Sequence, residues 1–464
     1  MSSVSKINQL PDELLALIFA TGLCGLTPSQ HPPLLKVIRN VCRHWRDVAI
    51  EASELWTTIH FSLERHLLAV QSFLECSKGR LIDLHIIASN SDILAHKVAE
   101  ITAPHISRTR TLTMTLPNFG IYNIFLQDYR SIFATNLSSL SIHFIHAPLL
   151  PHERTPLFAG TDSLSYLDTD GYILRDLPSR TGLTTLKLKN YSPTHLDLQI
   201  LFDASPCLET LVLHDFDLEG IPLDGVNDDV PTTIIPPTTL KSLAVSAVWA
   251  HSNGTDMCCC ILDELCIPDL EYLEVVGGII DANVHFRGLA KLQTLRVQDC
   301  TVSPVNADFF LSLKELRRLE LVDVGPGDIR YIVEALSNAL PSSSSPSFPH
   351  LSSVFFATKG EYVYTEGPDR LLRLAKHCVT VRCPRFTIEV EQGRSEEFLN
   401  VIGSSIEDDR VCVRESNCLG GLIKSTEMND HFAFDQDSDA DEFMDDMYEW
   451  DSSEPEGWDD DPYF

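Results

Sequence analysis

Basic residues are scarce in this chain: 35 Lys and Arg stand against 66 Asp and Glu, and the net charge is −31. Proteins that bind nucleic acid through its phosphates present a surplus of positive charge, which draws affinity from counterion release. No such surplus exists here, so the composition argues against direct nucleic-acid binding.

Long apolar runs are also missing. The longest, from Leu14 to Leu26, spans thirteen residues, whereas a helix that crosses a bilayer needs about 20. Residues 1–8 are polar and lack the apolar stretch of a secretory signal peptide. We therefore expect no membrane partner and a cytoplasmic and/or nuclear location.

The cysteines do not form a recognisable pattern. There are 13 of them, an odd number, and their spacing is irregular, which does not fit a disulfide framework. Several, such as Cys207, Cys266 and Cys300, stand among apolar residues. We expect these to be buried, reduced thiols of an intracellular protein.

Motifs for catalysis are absent as well. The sequence has neither a Gly-x-x-x-x-Gly-Lys loop nor a Gly-x-Ser-x-Gly elbow. Residues 258–260 are three consecutive cysteines, but no second pair follows at zinc spacing. Cys378 and Cys383 with His377 have no better spacing, and His143 and His146 are predicted to be surface or packing residues. We expect no cofactor, no metal and no enzymatic activity.

Basic residues stop at Lys424, and the chain beyond it is strongly acidic. Sixteen Asp and Glu lie from Glu427 onward, about half of the net negative charge, with aromatic residues between them. Such a segment is predicted to be a disordered tail over residues 425–464. It is either a solubilising tail or a recognition segment that folds onto a basic groove, for instance at Lys187, Lys189 and Arg296 of its own chain.

What the sequence does contain begins with a helical region over residues 7–60. Pro11 suits a helix start, and the apolar residues after it recur at helical spacing up to Phe19. A second helical series runs from Leu34 to Ala49 and is expected to break near Cys42. Three short helices make a marginal core, so such a unit usually needs a partner.

The residues of this region form a recognisable motif. It reads Leu10-Pro11-x-Glu13-Leu14-Leu15-x-x-Ile18-Phe19, then Val41-Cys42-x-x-Trp45-Arg46-x-x-Ala49, then Leu55-Trp56. In combination these pieces resemble an F-box of the type abundant in mushroom-forming fungi. The resemblance implies docking on a Skp-type linker protein, which is held by a cullin. By position, it implies these contact residues: Leu10, Pro11, Leu14, Leu15, Ile18, Val41, Cys42 and Trp45. The alternative is a three-helix cap that buries the same residues internally.

Downstream, a Leu-x-x-Leu-x-Leu pattern recurs over residues 61–415. Its middle positions, called anchors below, are Leu84, Leu112, Leu140, Leu167, Leu186, Leu211, Leu243, Leu273, Leu295, Leu319 and Val354. Their mean spacing is about 27 residues, within the 20 to 29 of leucine-rich repeats. We predict an irregular α/β solenoid of parallel strands and helices, in which the first leucine comes from the turn before each strand. The alternative is a generic α/β domain with leucine-rich strands.

In a leucine-rich solenoid, residues between the leucines face out from the strands and commonly bind the partner. The predicted substrate-binding residues are Lys187, Lys189, His214, Glu274, Arg296, Gln298 and Glu320. The resemblance and the repeat together predict a substrate-recognition adaptor of an SCF-type ubiquitin ligase. The alternative is a leucine-rich interaction scaffold that works outside a ligase.

Overall fold

The computed structural model describes a large part of the chain. The described residues are 7, 10–62, 66–145, 156–170, 181–191, 195–216, 234–247, 265–280, 289–302, 313–325, 328–332, 350–357, 372, 375, 385–402, 410–416 and 420–423. They belong to two compact units, and the chain passes from one to the other between Asp168 and Thr169. The predicted acidic tail, the cysteines at 258–260, 378 and 383, and His377 and His146 lie outside these residues.

The first unit begins with three helices. They are α1 (Asp12–Leu23), α2 (His31–Val41) and α3 (Arg43–Glu51), with 3₁₀ turns at Pro28–Gln30 and Ser53–Trp56. Asp12 and Glu13 lie in the first turn of α1, where their charge complements the helix dipole. Cys42 adopts extended backbone, with φ −165° and ψ 167°, and separates α2 from α3. The predicted break at this residue is confirmed.

Strands and helices then alternate along the first unit. In chain order they are β1 (Thr58–Phe61), α4 (Leu67–Cys76), β2 (Ile82–Ile87), α5 (Asp92–Thr102), β3 (Thr109–Leu116), α6 (Phe119–Tyr129), β4 (Ser139–Phe144) and β5 (Tyr166–Asp170). Parallel pairing joins β1 to β2, β2 to β3 and β3 to β4. Ser91 and Asn118 cap α5 and α6 by accepting backbone N–H groups, which fixes where these helices start.

The second unit continues the alternation. Its elements are β6 (Thr185–Tyr191), α7 (His195–Ala204), β7 (Thr210–Phe216), β8 (Ser242–Ala247), β9 (Tyr272–Val276), β10 (Ile279–Ile280), β11 (Thr294–Gln298), β12 (Thr301–Val302), β13 (Arg318–Val322), β14 (Ser353–Ala357), β15 (Phe386–Glu391), α8 (Ser395–Ile402) and β16 (Val411–Ser416). The parallel order is β6-β7-β8-β9-β11-β13-β14-β15-β16, and β10 pairs with β12 separately. The chain is thus a mixed α/β protein with a helical N-terminal region and parallel strands.

The anchors explain the register of these strands. All eleven lie in strands, and successive anchors face one another across the pairs, as Leu211 does Leu243 and Leu295 does Leu319. The leucine that precedes each strand lies in a tight turn, as where Leu292 donates its N–H to the carbonyl of Leu289. Both leucine positions are buried from Leu137 onward, whereas Leu81 before β2 is 44% exposed, so the core repeats with the sequence pattern from β4 onward.

Several strands end in the same way. The residue four positions after the anchor is Asn190, Gly277, Asp299 or Asp323, and each has a positive φ between 49° and 70°. Gly, Asn and Asp tolerate this left-handed conformation best. Neighbouring copies are also joined before each strand, where Lys241 N–H donates to the carbonyl of Glu209 and Glu271 N–H to that of Lys241.

Some sequence-based expectations are wrong. Cys207 and Cys266 are exposed, whereas Cys300 is buried as predicted; all seven cysteines in the described part of the chain are free. Over the residues that the structure describes, no helix is long and apolar enough to cross a membrane.

Candidate functional site

Helices α1 and α2 carry apolar side chains that point into solvent. We name this set the helical face: Leu14, Leu17, Ile18, Val37 and Val41. Leu14, Ile18 and Val41 are 47%, 46% and 53% exposed, although all three are strongly apolar. On each helix these residues are three or four positions apart, so they share one side of it. Such a stripe on a short helical unit is typical of a protein-binding surface.

The predicted linker contacts fall into three groups. Pro11, Leu14, Ile18 and Val41 are exposed, and Leu10, Cys42 and Trp45 are partly buried. Leu15 is 0% exposed and belongs to the core of the helical region, so it supports the fold and cannot touch a partner as it stands. Leu17 and Val37 were missed by the motif, although their helical spacing from Leu14 and Val41 would have indicated them.

Aromatic residues hold the helical face in place. The rings of Phe19 on α1 and Trp45 on α3 lie 5.0 Å apart between centroids. Trp56 is buried, donates its indole N–H to the carbonyl of Ala49 at 2.7 Å and packs edge-on against Phe73 of α4. Because α4 lies beyond the predicted end of the region at residue 60, the helices are packed onto the strands and helices that follow.

The second candidate is a surface of the second unit, on the side of the strands opposite the anchors. We name it the sheet face; its residues are Val212, Ala244, Glu274, Arg296, Glu320, Phe355, Glu389 and Arg414. On β7 to β14 each follows the anchor of its strand, and on β15 and β16 each follows the residue in the same register, Ile388 or Val413. They therefore form one row across successive strands. The row is apolar at β7 and β8 and then carries alternating charge.

Ion pairs connect these charges. Arg296 contacts Glu274 at 3.4 Å (Nε to Oε1) and Glu320 at 2.9 Å (Nη1 to Oε2). Arg318, at the start of β13, contacts Glu320 at 2.6 Å and makes two bonds to Glu389 at 2.9 and 2.8 Å. The ion pairs thus form a series in which acidic and basic side chains alternate, with three of each and no net charge. In order they are Glu274, Arg296, Glu320, Arg318, Glu389 and Arg414.

Phe355 explains how Arg318 reaches across a strand. Glu389 lies two strands away from Arg318, with β14 between them. The Arg318 guanidinium carbon lies 6.0 Å from the centroid of the Phe355 ring, within range of a cation–π contact. Phe355 is uncharged and lies between Glu320 and Glu389 in the row. Arg318 packs over its ring and supplies the positive charge between these two carboxylates.

The pKa values reflect these surroundings. Burial by itself would raise the pKa of Glu389, but the hydrogen bonds and charges of Arg318 and Arg414 outweigh it and lower this pKa to about 2. At Glu274 burial is the larger effect and raises the pKa, against Arg296 and a backbone N–H donor. Glu389 is thus held as a carboxylate more firmly than Glu274.

The prediction that the substrate-binding residues face solvent is wrong for most of them. Glu274 is 0% exposed and Arg296 is 2% exposed, and three further predicted residues are also buried: His214, Gln298 and Glu320. Lys187 and Lys189 on β6 are partly exposed. The charges are satisfied within the row, and part of the row is covered by a segment that follows β16.

That segment is residues 420–423. Ile423 is buried against Val212, Ala244 and Val276, and Leu422 packs beside this cluster. The backbone N–H of Leu422 donates to Glu274 Oε2 at 2.6 Å. The covering residues lie almost 150 positions from the strand they contact, so no local sequence pattern predicts the contact.

Polar side chains elsewhere do not assemble a metal site. Within the described ranges, no group of three or more His, Cys, Asp and Glu side chains could hold a metal ion. In the first unit, His143 Nε2 lies 3.8 Å from Asp168 Oδ1, and the Tyr166 hydroxyl donates to Asp168 Oδ2 at 3.4 Å. These partly buried contacts account for His143 as a packing residue, as predicted.

Comparison with known families supports this interpretation of the helical region. The family model for F-box-like domains matches residues 7–62, the segment that carries the helical face. This match supports an F-box protein and suggests binding to a Skp-type linker protein. A search of curated proteins finds no match to the chain.

Proposed function

We propose that this chain, whose residues 7–62 form an F-box-like domain, is the substrate-recognition adaptor of an SCF-type ubiquitin ligase. In that role the helical face binds a Skp-type linker protein, which a cullin holds in turn. The second unit binds a protein substrate. The observation that carries the proposal is that the matched segment is also the one that exposes the apolar helical face.

The energetics of the helical face support a partner. Transfer of a fully exposed apolar side chain of this size into a buried site contributes about 1.5–3 kcal/mol. Leu14, Ile18 and Val41 are each about half exposed, so a partner that covers them gains about half of this for each. Trp45 contributes to partner binding indirectly, because its ring packs against Phe19 and so fixes the orientation of α1.

An adaptor acts by proximity. It raises the local concentration of substrate lysines near the ubiquitin carrier, and the transfer itself is done by other subunits. We infer that this chain is a non-catalytic subunit without a cofactor, working in the cytoplasm and/or the nucleus. The strand spacing of about 27 residues and the left-handed strand ends support an irregular leucine-rich-repeat array as the substrate-binding part.

The test is binding of the full chain to a purified Skp-type linker protein, compared with a Leu14→Ala, Ile18→Ala double variant. Both side chains are exposed, so the variant keeps the fold. Loss of two apolar side chains that an interface buries should cost about 2 kcal/mol or more in total, so we expect affinity to fall by roughly thirtyfold or more. Ile93→Ala on α5 is the matched control, because Ile93 is 71% exposed and lies outside the matched segment; it should bind like the unaltered chain.

A second candidate function is an interaction scaffold outside any ligase, with the helices as a cap on the strands. The packing of Trp56 against Phe73 of α4 favours it. A well-folded chain that does not bind the linker protein would establish this alternative and remove the adaptor proposal.

A further inference from the structure

Residues 420–423 occupy the sheet face as a bound peptide would. They belong to no helix or strand, and they contact the face through side chains and backbone N–H groups. Ile423 is 1% exposed, in the apolar pocket formed by Val212, Ala244 and Val276. The pocket is on the part of the face that lacks charge, next to the carboxylate of Glu274.

Glu274 is arranged to receive a backbone donor. One of its oxygens accepts the Leu422 N–H at 2.6 Å and the Tyr272 hydroxyl at 3.0 Å, while the other lies 3.4 Å from Arg296 Nε. A buried carboxylate that accepts a peptide N–H forms a stronger bond than a neutral acceptor does. This contact recognises the backbone, and the preference for an aliphatic side chain at residue 422 comes from the packing of Leu422 beside the apolar cluster.

Gly421 adds a strict requirement for size. A Cβ at this position would lie 2.1 Å from Glu274 Oε1 and 2.8 Å from Arg296 Nε. Neither atom is free to move, because both side chains are buried and tied into the ion-pair row. Only a residue without a side chain can therefore pass over this point of the face.

We propose that the Glu274 carboxylate and the adjoining apolar pocket are a binding site for a segment of the form glycine, aliphatic, aliphatic. The chain's own Gly421, Leu422 and Ile423 fill it. A partner protein must present such a segment and displace the internal one. Binding of a partner segment rests on the proposed function, because that function assigns substrate binding to the second unit, which carries the sheet face.

Tethering sets how strongly the internal segment competes. A segment on the same chain acts at an effective concentration that reaches the millimolar range for short connections. A free peptide of the same sequence therefore binds the unaltered chain poorly, even if the pocket suits it well. Loosening the internal segment without touching the pocket should expose the site.

Gly421→Val in the full chain should release residues 420–423, because a valine side chain would clash with Glu274. The substitution leaves every pocket residue unchanged. The probe is a fluorescent peptide of residues 416–426 with Cys418 replaced by Ser, followed by anisotropy. We expect the Gly421→Val chain to bind the probe at least about tenfold more tightly than the unaltered chain does. A probe that itself carries Gly421→Val should bind at least about tenfold more weakly than the native probe.

Ile423→Asp is a second way to release the segment and covers the case in which Gly421→Val fails to fold. Amide hydrogen exchange at Leu422 reports whether release has occurred. If the amide is released and the probe still does not bind, or if the segment stays seated in the Gly421→Val chain, the site is only a part of the core and the proposal is overturned. Linker binding is measured on the same variants, so a failure of the adaptor function is seen separately.

Discussion

The helical face and the sheet face carry opposite chemistry in opposite surroundings. Leu14 and Ile18 are apolar and stand in solvent, whereas Glu274 and Arg296 are ionisable and buried. Exposed apolar groups gain free energy when another molecule covers them, while buried charges must already have their partners. The exposed apolar side chains of the helical face are therefore suited to burial by a second protein. On the sheet face a ligand must replace contacts that already exist.

The largest effect should come from breaking the buried row at its centre. Arg296→Leu leaves Glu274 and Glu320 buried without their shared cation, and removal of one partner from such a group typically costs about 3–5 kcal/mol. We expect the midpoint of chemical unfolding to fall accordingly. Lys291→Leu is the control, because Lys291 pairs with Asp269 in solvent, and it should leave unfolding unchanged within error. Equal effects of the two substitutions would contradict the buried pairing.

Adjacent residues of α1 allow the same contrast within the helical region. Leu15 is fully buried and Leu14 is almost half exposed. Truncation of a buried leucine to alanine costs about 2–5 kcal/mol, so Leu15→Ala should destabilise the chain strongly. Leu14→Ala should change stability by about 0.5 kcal/mol or less. Thermal unfolding of the two variants checks this, and a large loss for Leu14→Ala would show that the helical face is part of a core.

These contrasts mark what the sequence could reveal. Local spacing predicted the N-terminal helices, the break at Cys42 and the strands that carry the anchors, because buried residues there recur at the spacing of a helix or a strand. It missed β15 and β16, where Ile388 and Val413 take the place of leucine in the strand register. It also placed Glu274 and Arg296 in solvent, because alternation shows which side of a strand a residue is on and not what covers that side.

Several strand ends carry a sequence pattern that the leucine spacing does not include: Asn, Asp or Gly four residues after the anchor. Leucine-rich repeats usually place Asn or Cys five residues after the anchor, but this position holds Tyr191, Phe216 or Val324 here, which favoured irregular curvature. One position earlier, Asn190, Asp299 and Asp323 have the left-handed backbone that such residues accept. The left-handed turn therefore recurs at several strand ends of the second unit, in addition to the leucine pattern.

Acid should affect the sheet face through Glu389. Its pKa is about 2 in the folded chain against an ordinary 4.5, because Arg318 and Arg414 stabilise the carboxylate. The stabilisation is complete above pH 4.5 and is lost as pH falls toward 2, with a magnitude of about 3 kcal/mol. Glu389→Gln should therefore be less stable than the unaltered chain at pH 6, and the difference should shrink as pH falls through 4. A difference that stays constant with pH would exclude the ion pairs as its cause.

The first unit should respond to acid in a different range, through His60 on β1. Burial, together with the nearby His66 and His85, lowers the pKa of His60 from 6.5 to about 4. Between pH 6.5 and pH 4, His60 is protonated in the unfolded chain but not in the folded chain. The free energy of unfolding is therefore unaffected by this group above pH 6.5 and falls as the pH drops toward 4. After allowance for partial exposure, the loss is about 2 kcal/mol. We expect His60→Gln to gain stability relative to the unaltered chain as pH falls from 7 to 5, in unfolding measured at each pH. His96→Gln, on the exposed side of α5, should follow the unaltered chain, and the same gain there would assign the effect to net charge instead of burial.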